Sequence, residues 1–311
     1  MDQISKKIKM ISQKLTELKK KLNHYKIDGY IIPKNDEYFS EFAQKDNLKT
    51  ISAFNGSFGL AVVLKKKNFL FVDGRYVEQA KIQSGKNFKI IEIPKKLPHQ
   101  ILNSSLNLGF DPMVFTSRSL SYYFKNKIKL TPILKKVLNS NIIKGHKSKK
   151  FYLLKPEIVG ETMNSKIKRL IQILKKDGSD HIFISAPENV AWLLNIRGTD
   201  NPFSPIPNCR IILNTKGKVS FFSNIKSSSH MQKKRDFIKT SFFKENQIEN
   251  FLGKLNAKKI IIDKNTCSFF FENIINSKFK ISKIGDPLYL MKSIKNKKEI
   301  NNTIESHISD G

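Results

Sequence analysis

The sequence predicts an α/β protein made of two consecutive units of similar length. Three observations carry this. At 311 residues the chain is long enough for about two domains. Short apolar runs and amphipathic helical stretches alternate through residue 135. The same rhythm of helix, strands and crossover restarts at Val159.

In the first half, Ile4, Ile8, Ile11, Leu15, Leu18 and Leu22 recur at spacings of four and three, one apolar face of a helix with lysines on the other. Tyr30–Pro33 reads as a buried strand ended by a proline and a polar turn. Leu60–Leu64 and Phe69–Val72, joined by the polar Lys65–Asn68, form a hairpin. Gly56 and Gly59 flank Ser57 and Phe58 just before it, as a turn or close backbone approach requires. Asp73-Gly74-Arg75-Tyr76 follows the second strand directly, which places Asp73 and Arg75 at a strand end. A turn closed by an Asp–Arg pair and a functional pair both fit that position. Further on, Val77–Gln83 and Ser117–Phe124 read as helices, and Lys89–Ile93 and Asn107–Phe110 as strands.

Residues 139–156, polar and basic with a late proline, read as the linker. Beyond it Ile167, Leu170, Ile171 and Leu174 mark a helix stopped at Asp177-Gly178, and His181–Ile184 a strand. Asn189–Asn195 is a short helix, and Arg210–Leu213 with Val219–Phe222 a second hairpin. Ile248–Leu255 and Phe269–Ile275 (helices) and Lys259–Asp263 (strand) complete the unit. Between Asn189 and Asn208 lie the only tryptophan and three prolines in six residues, which favour a stiff extended loop. Such a loop would present Arg197, Asp200 and Asn201 beside Trp192 to a peptide end. A core tryptophan and a proline-shaped connection fit the same residues.

The net charge of +31 raises nucleic-acid or anionic-membrane binding. Only six of the 57 basic residues are arginine, the residue suited to bidentate phosphate and base-edge contacts, and the lysines are dispersed. Specific nucleic-acid recognition is therefore not expected, nor is a membrane partner, since no apolar run reaches the ~20 residues of a span. Cys209 and Cys267 stand in no metal-ligand spacing, and the N-terminus does not read as a signal peptide, so a cytoplasmic location is expected. The six histidines are scattered, without a paired spacing to a carboxylate motif, and no G-x-S-x-G, P-loop or G-x-G-x-x-G occurs. No catalytic residue and no metal ligand is assigned.

Gly29–Phe42 (G-Y-I-I-P-K-N-D-E-Y-F-S-E-F), Ile51–Val63 (I-S-A-F-N-G-S-F-G-L-A-V-V), D-G-R-Y at 73–76 and A-W-L-L-N-I-R-G-T-D-N-P at 191–202 resemble the aminopeptidase P group of the creatinase/prolidase ("pita-bread") superfamily. Pro287–Gly311 is similar to that group's passage into its C-terminal catalytic domain. The resemblance implies two creatinase N-terminal-like (RNase H-like) three-layer domains at 1–149 and 150–293, each a mixed sheet with flanking helices. Residues 294–311 would begin a metallopeptidase domain that the chain lacks. It further implies the N-terminal portion of a Xaa-Pro aminopeptidase, acting on peptides with proline second as a homodimer. Asp73, Arg75, Trp192, Arg197 and Asp200 would then lie at the substrate entrance. In that group two aspartates, one histidine and two glutamates of the catalytic domain hold a pair of divalent metals, manganese in the usual case. None of those ligands can be assigned here, so no cofactor is expected on this chain. The abrupt end within a helix suggests a truncated enzyme. A stand-alone, non-catalytic interaction protein derived from the group is the alternative.

Overall fold

The computed structural model describes residues 3–40, 45–125, 127–134, 137–138 and 149–311, with side chains from residue 9 onward. The chain divides into two compact units, Met1–Gly145 and His146–Gly311.

In the first unit the elements follow in the order α1 (Gln3–His24), β1 (Gly29–Pro33), α2 (Asn47–Ser52), β2 (Gly59–Leu64), β3 (Asn68–Asp73), α3 (Val77–Ser84), β4 (Lys89–Ile93), α4 (Pro98–Ile101), β5 (Asn107–Phe110), α5 (Ser117–Phe124) and β6 (Lys129–Pro132). The sheet order is β4-β3-β2-β1-β5-β6, with β1, β2 and β3 antiparallel and the outer pairs parallel. Ile11, Leu15, Leu18 and Leu22 of α1 are buried in one cluster with Tyr30, Ile32, Ala61, Val63, Leu70 and Val72. These sheet residues sit at every second position, so one face of the strands meets the apolar stripe of α1. The alternate residues Ile31, Val62, Phe71 and Phe110 are buried as well. Burial on both faces explains why these strands are continuous apolar runs.

The second unit continues with β7 (Tyr152–Leu153), α6 (Pro156–Val159), α7 (Met163–Asp177), β8 (His181–Ile184), α8 (Pro187–Leu193), β9 (Ile196–Arg197), β10 (Cys209–Asn214), β11 (Val219–Ser223), α9 (Ile225–Ser228), β12 (Thr240–Lys244), α10 (Ile248–Lys254), β13 (Lys259–Ile262), α11 (Phe269–Asn276), β14 (Lys280–Ile281), α12 (Leu288–Ser293) and α13 (Lys297–Asp310). Its sheet order, β12-β11-β10-β8-β13-β14, repeats the first: a central antiparallel trio with parallel strands outside. The expected α/β class and duplicated architecture are therefore both present, as two mixed sheets flanked by helices. Met163, Ile167, Leu170 and Leu174 bury the inner face of α7, and Gly178 ends that helix in the left-handed region at φ 69°.

Two differences from the sequence reading have physical causes. Of the linker, residues 139–148 lie outside the described residues, but 151–156 belong to the second unit. Phe151 is buried in its core, Tyr152–Leu153 pairs with Ile196–Arg197, and Pro156 opens a helix. The edge strands β6 and β12 were not expected. Lys129–Pro132 is short and ends in proline, and Thr240–Lys244 carries polar residues on a half-exposed edge. D-G-R-Y is a turn, as its sequence reads: a turn of 3-10 helix (Gly74–Tyr76) leading straight into α3.

Candidate functional site

In the first unit, the turn after β3 gathers the resemblance-bearing segments. Asp73 caps it: Oδ1 accepts from the Arg75 backbone N–H at 2.9 Å and from Arg75 Nε at 2.9 Å, while Oδ2 accepts from a terminal guanidinium nitrogen at 3.2 Å. These bonds, the guanidinium hydrogen bond foremost, hold the Asp73 carboxyl below the usual range. Arg75 keeps 71% of its side chain exposed. Its guanidinium also lies 5.3 Å from the centre of the Tyr76 ring. Tyr76 in turn ties back to the Phe54–Ser57 turn. Its hydroxyl is 2.8 Å from Ser57 Oγ, and its ring meets Phe54 edge-on at 5.9 Å. Asn55 Oδ1 accepts from Gln79 and Gln83 of α3 at 2.6 and 2.8 Å. Segments about twenty residues apart are thus fastened side by side, with a solvent-exposed guanidinium whose Nε edge is held by Asp73. Chemically, such a guanidinium suits a carboxylate or carbonyl.

The second constellation is set differently. Trp192, on α8, donates from Nε1 to Glu299 of α13 at 3.2 Å. Lys166 of α7 places its ammonium 4.1 Å from the indole centre and donates to the Trp192 carbonyl at 2.9 Å and to Asn195 Oδ1 at 2.7 Å. Asn195, at φ 54°, donates to the Glu161 carbonyl at 2.9 Å. Lys166 is 1% exposed, and burial lowers its amine to about 8. Arg197 folds back instead of outward. It donates to the carbonyls of Ile196 at 2.8 Å and Ala191 at 3.3 Å, and burial lowers its guanidinium. Asp200 is buried and closes the proline loop, Oδ2 accepting from the Asn208 backbone N–H at 2.7 Å. The sequence reading had the loop presenting Arg197 and Asp200. In the structure both point into the fold: Arg197 satisfies carbonyls of α8 and β9, and Asp200 a backbone N–H of the proline loop. Trp192 is half-buried and packed against the core, among polar partners.

Sequence reasoning missed Lys166, Asn195 and Glu299. One signal was available: Lys166 stands on the apolar face of α7, three residues after Met163 and next to Ile167. It also missed a second buried group. Asp286 accepts from Asn189 Nδ2 at 2.7 Å and from the Leu288 N–H at 2.9 Å, and burial raises its carboxyl to about 6. α13, for its part, is fastened to this unit. Asn296 caps it, donates to the Val159 carbonyl at 2.8 Å, and fills the space beside Gly160, where a Cβ would lie 2.3 Å from its Oδ1. Gly160, at φ 74°, is required there.

A dinuclear metal centre does not fit the residues present. Among the described residues no cluster of three or more His, Cys, Asp or Glu side chains is placed to hold an ion. Cys209 and Cys267 are both buried, and burial pushes their thiols up. Among the described residues, no helix is long and apolar enough to cross a membrane.

Two models of the creatinase/prolidase N-terminal domain match the chain, over residues 14–137 and 144–299. The chain belongs to this family. Its members similar to this chain include probable Xaa-Pro aminopeptidase P of Coprinopsis cinerea, 26% identical over 96% of this chain and 53% of that protein. Xaa-Pro aminopeptidase 1 of Dictyostelium discoideum is 27% identical over 96% of this chain and 51% of its own length. Among solved structures, the X-prolyl aminopeptidase of Caenorhabditis elegans, a cytosolic enzyme with a di-nuclear active site, superposes with a TM-score of 0.81. It is 22% identical, over 96% of this chain and 54% of that one, which shows a common fold. The chain spans about half the length of the curated relatives it matches.

Proposed function

We propose that this chain supplies the N-terminal two-domain part of a Xaa-Pro aminopeptidase. In that role it shapes the approach of peptides with proline second to a catalytic half, and takes part in a cytoplasmic homodimer. The observation that carries the reading is the pair of family matches along nearly the whole chain, together with relatives that are Xaa-Pro aminopeptidases aligned over half their length. Within it, the exposed Asp73–Arg75 turn is the contact we assign to the substrate entrance: its guanidinium reaches solvent while its backbone is pinned. Trp192, Arg197 and Asp200 support the entrance from within the second unit, by holding α8, α13 and the proline loop. Residues 294–311 begin the metallopeptidase portion. The paired divalent metals, manganese by family resemblance, would be held by that portion, where they would supply activation of water and polarisation of the scissile carbonyl.

The test is an assay of the pure chain on an Xaa-Pro peptide with manganese, before and after addition of a polypeptide carrying the catalytic half. No release alone and release in the mixture is the expected result. Manganese-stimulated release by the chain alone contradicts the reading. A chain that never supports release, in the mixture or fused to the catalytic half, favours a non-catalytic interaction protein.

A further inference from the structure

Two five-residue segments of the second unit are near copies: Lys218-Val219-Ser220-Phe221-Phe222 and Lys239-Thr240-Ser241-Phe242-Phe243. They begin β11 and β12, which pair in parallel with Val219 opposite Thr240, Ser220 opposite Ser241 and Phe222 opposite Phe243. Residues two apart in a strand share a face. Each segment therefore sends lysine, serine and phenylalanine to one face, and the register sets the two columns side by side about 4.8 Å apart. At the inner end the Phe222 and Phe243 rings stack at 5.3 Å, and Phe251 of α10 meets both at 5.3 Å. At the outer end Lys218 and Lys239 directly precede the paired Val219 and Thr240, and like charges on neighbouring strands cost stability when nothing lies between them.

A pocket of about 500 Å³ lies over these columns. It is lined by Lys216, Lys218, Lys239, Ser220, Ser241 and Phe251, among others, and no carboxylate lines it. Lys216 is brought in by the hairpin tip. Asn214 Oδ1 accepts from the Lys216 and Lys218 N–H groups at 3.0 and 3.1 Å, and Gly217 turns at φ 78°. Ile212 and Leu255 supply apolar wall. Among the described residues, none of the three ammonium groups is engaged in an ion pair. A chain of charge +31 has lysines everywhere, so charge alone distinguishes nothing. The distinction is the in-register duplication, which sets two lysines and two hydroxyls against an aromatic wall in one concavity, where the field is focused.

We propose that this pocket binds a phosphate monoester with an apolar or aromatic body. The dianion would lie between Lys218 and Lys239 with the serine hydroxyls donating to it, and the body against Phe251 and Leu255. The site lies outside the proposed peptidase role and does not depend on it.

Calorimetric titration of the full chain at about 0.15 M ionic strength tests this, with phenyl phosphate and inorganic phosphate as probes. One molecule of phenyl phosphate should bind per chain, at least tenfold more tightly than inorganic phosphate. The double change Lys218→Ala/Lys239→Ala should weaken it at least tenfold. Ser220→Ala/Ser241→Ala should weaken it several-fold at an unchanged thermal midpoint, which separates loss of binding from loss of folding. Lys66→Ala/Lys67→Ala, removing the same charge from the exposed hairpin loop of the first unit, should leave it unchanged. An equal loss in that control shows unspecific screening and overturns the proposal. So does the absence of saturable binding, or equal affinity for the two probes.

Discussion

The turn at Asp73–Tyr76 and the cluster around Trp192 look alike in sequence: an aromatic residue, an arginine and an aspartate close to strand ends. In the structure they are physical opposites. Arg75 is mostly exposed, and its bonds to Asp73 are local, so removing it disturbs little beyond the turn. Around Trp192 of α8 the partners come from two further helices, α7 and α13, and a buried ammonium sits against the indole. Taking one member from a buried polar network leaves others desolvated and unpaired, at a cost of several kcal/mol, while an exposed pair is screened by water. The difference teaches where a functional change can be made without unfolding the protein. The first region tolerates change at low structural cost; the second supplies structure.

Several substitutions can break or sharpen that contrast. The largest effect is expected from Lys166→Ala, which opens a cavity, orphans Asn195 Oδ1 and removes the ammonium bond to the Trp192 carbonyl. Urea unfolding should report a loss of about 2–4 kcal/mol. A loss below about 0.5 kcal/mol would mean that the cluster is not structural. Lys166→Met keeps the volume and removes the charge, so its signature is in pH. The folded amine titrates near 8 and the unfolded one near 10.5, so the unfolded state holds more protons between those values. Stability of the unchanged protein therefore gains a rising contribution across that window, a few kcal/mol at most. The methionine variant should lack that contribution, and the difference between the two proteins isolates it from the other lysines. Trp192→Phe gives up the bond to Glu299 and part of the cation–π contact and should cost about 1 kcal/mol. Arg75→Ala stands at the far end, with a thermal midpoint indistinguishable from that of the unchanged protein.

Much of this fold was legible in the sequence, for reasons that can be named. Lys89–Ile93, Asn107–Phe110 and His181–Ile184 are strands at the residues expected, because each is a short apolar run bounded by polar or turn residues. The α7 stripe and its Gly178 stop were equally readable. Phe151 was hidden in a basic, linker-like stretch, since one aromatic residue carries no periodicity. The polar edge strand Thr240–Lys244 shows itself only when its pairing with Val219–Ser223 is known. At the candidate site, the position of Asp73 and Arg75 at a strand end followed from pattern. The inward turn of Arg197 and Asp200 did not, because it depends on backbone groups of α8, β9 and the proline loop that meet these side chains only in the folded chain. Asn195 and Glu299 lie 29 and 133 residues from Lys166, too far for any local signal to join the three.

The most direct test of the central claim compares Arg75→Ala and Arg75→Lys, in the chain extended with a catalytic half, by Xaa-Pro peptide kinetics alongside thermal midpoint. The account predicts at least a tenfold fall in kcat/KM for both variants, lysine failing because it lacks the planar fork, with no change in midpoint. Unchanged kinetics, or unfolding of the first unit by Arg75→Ala, would contradict it.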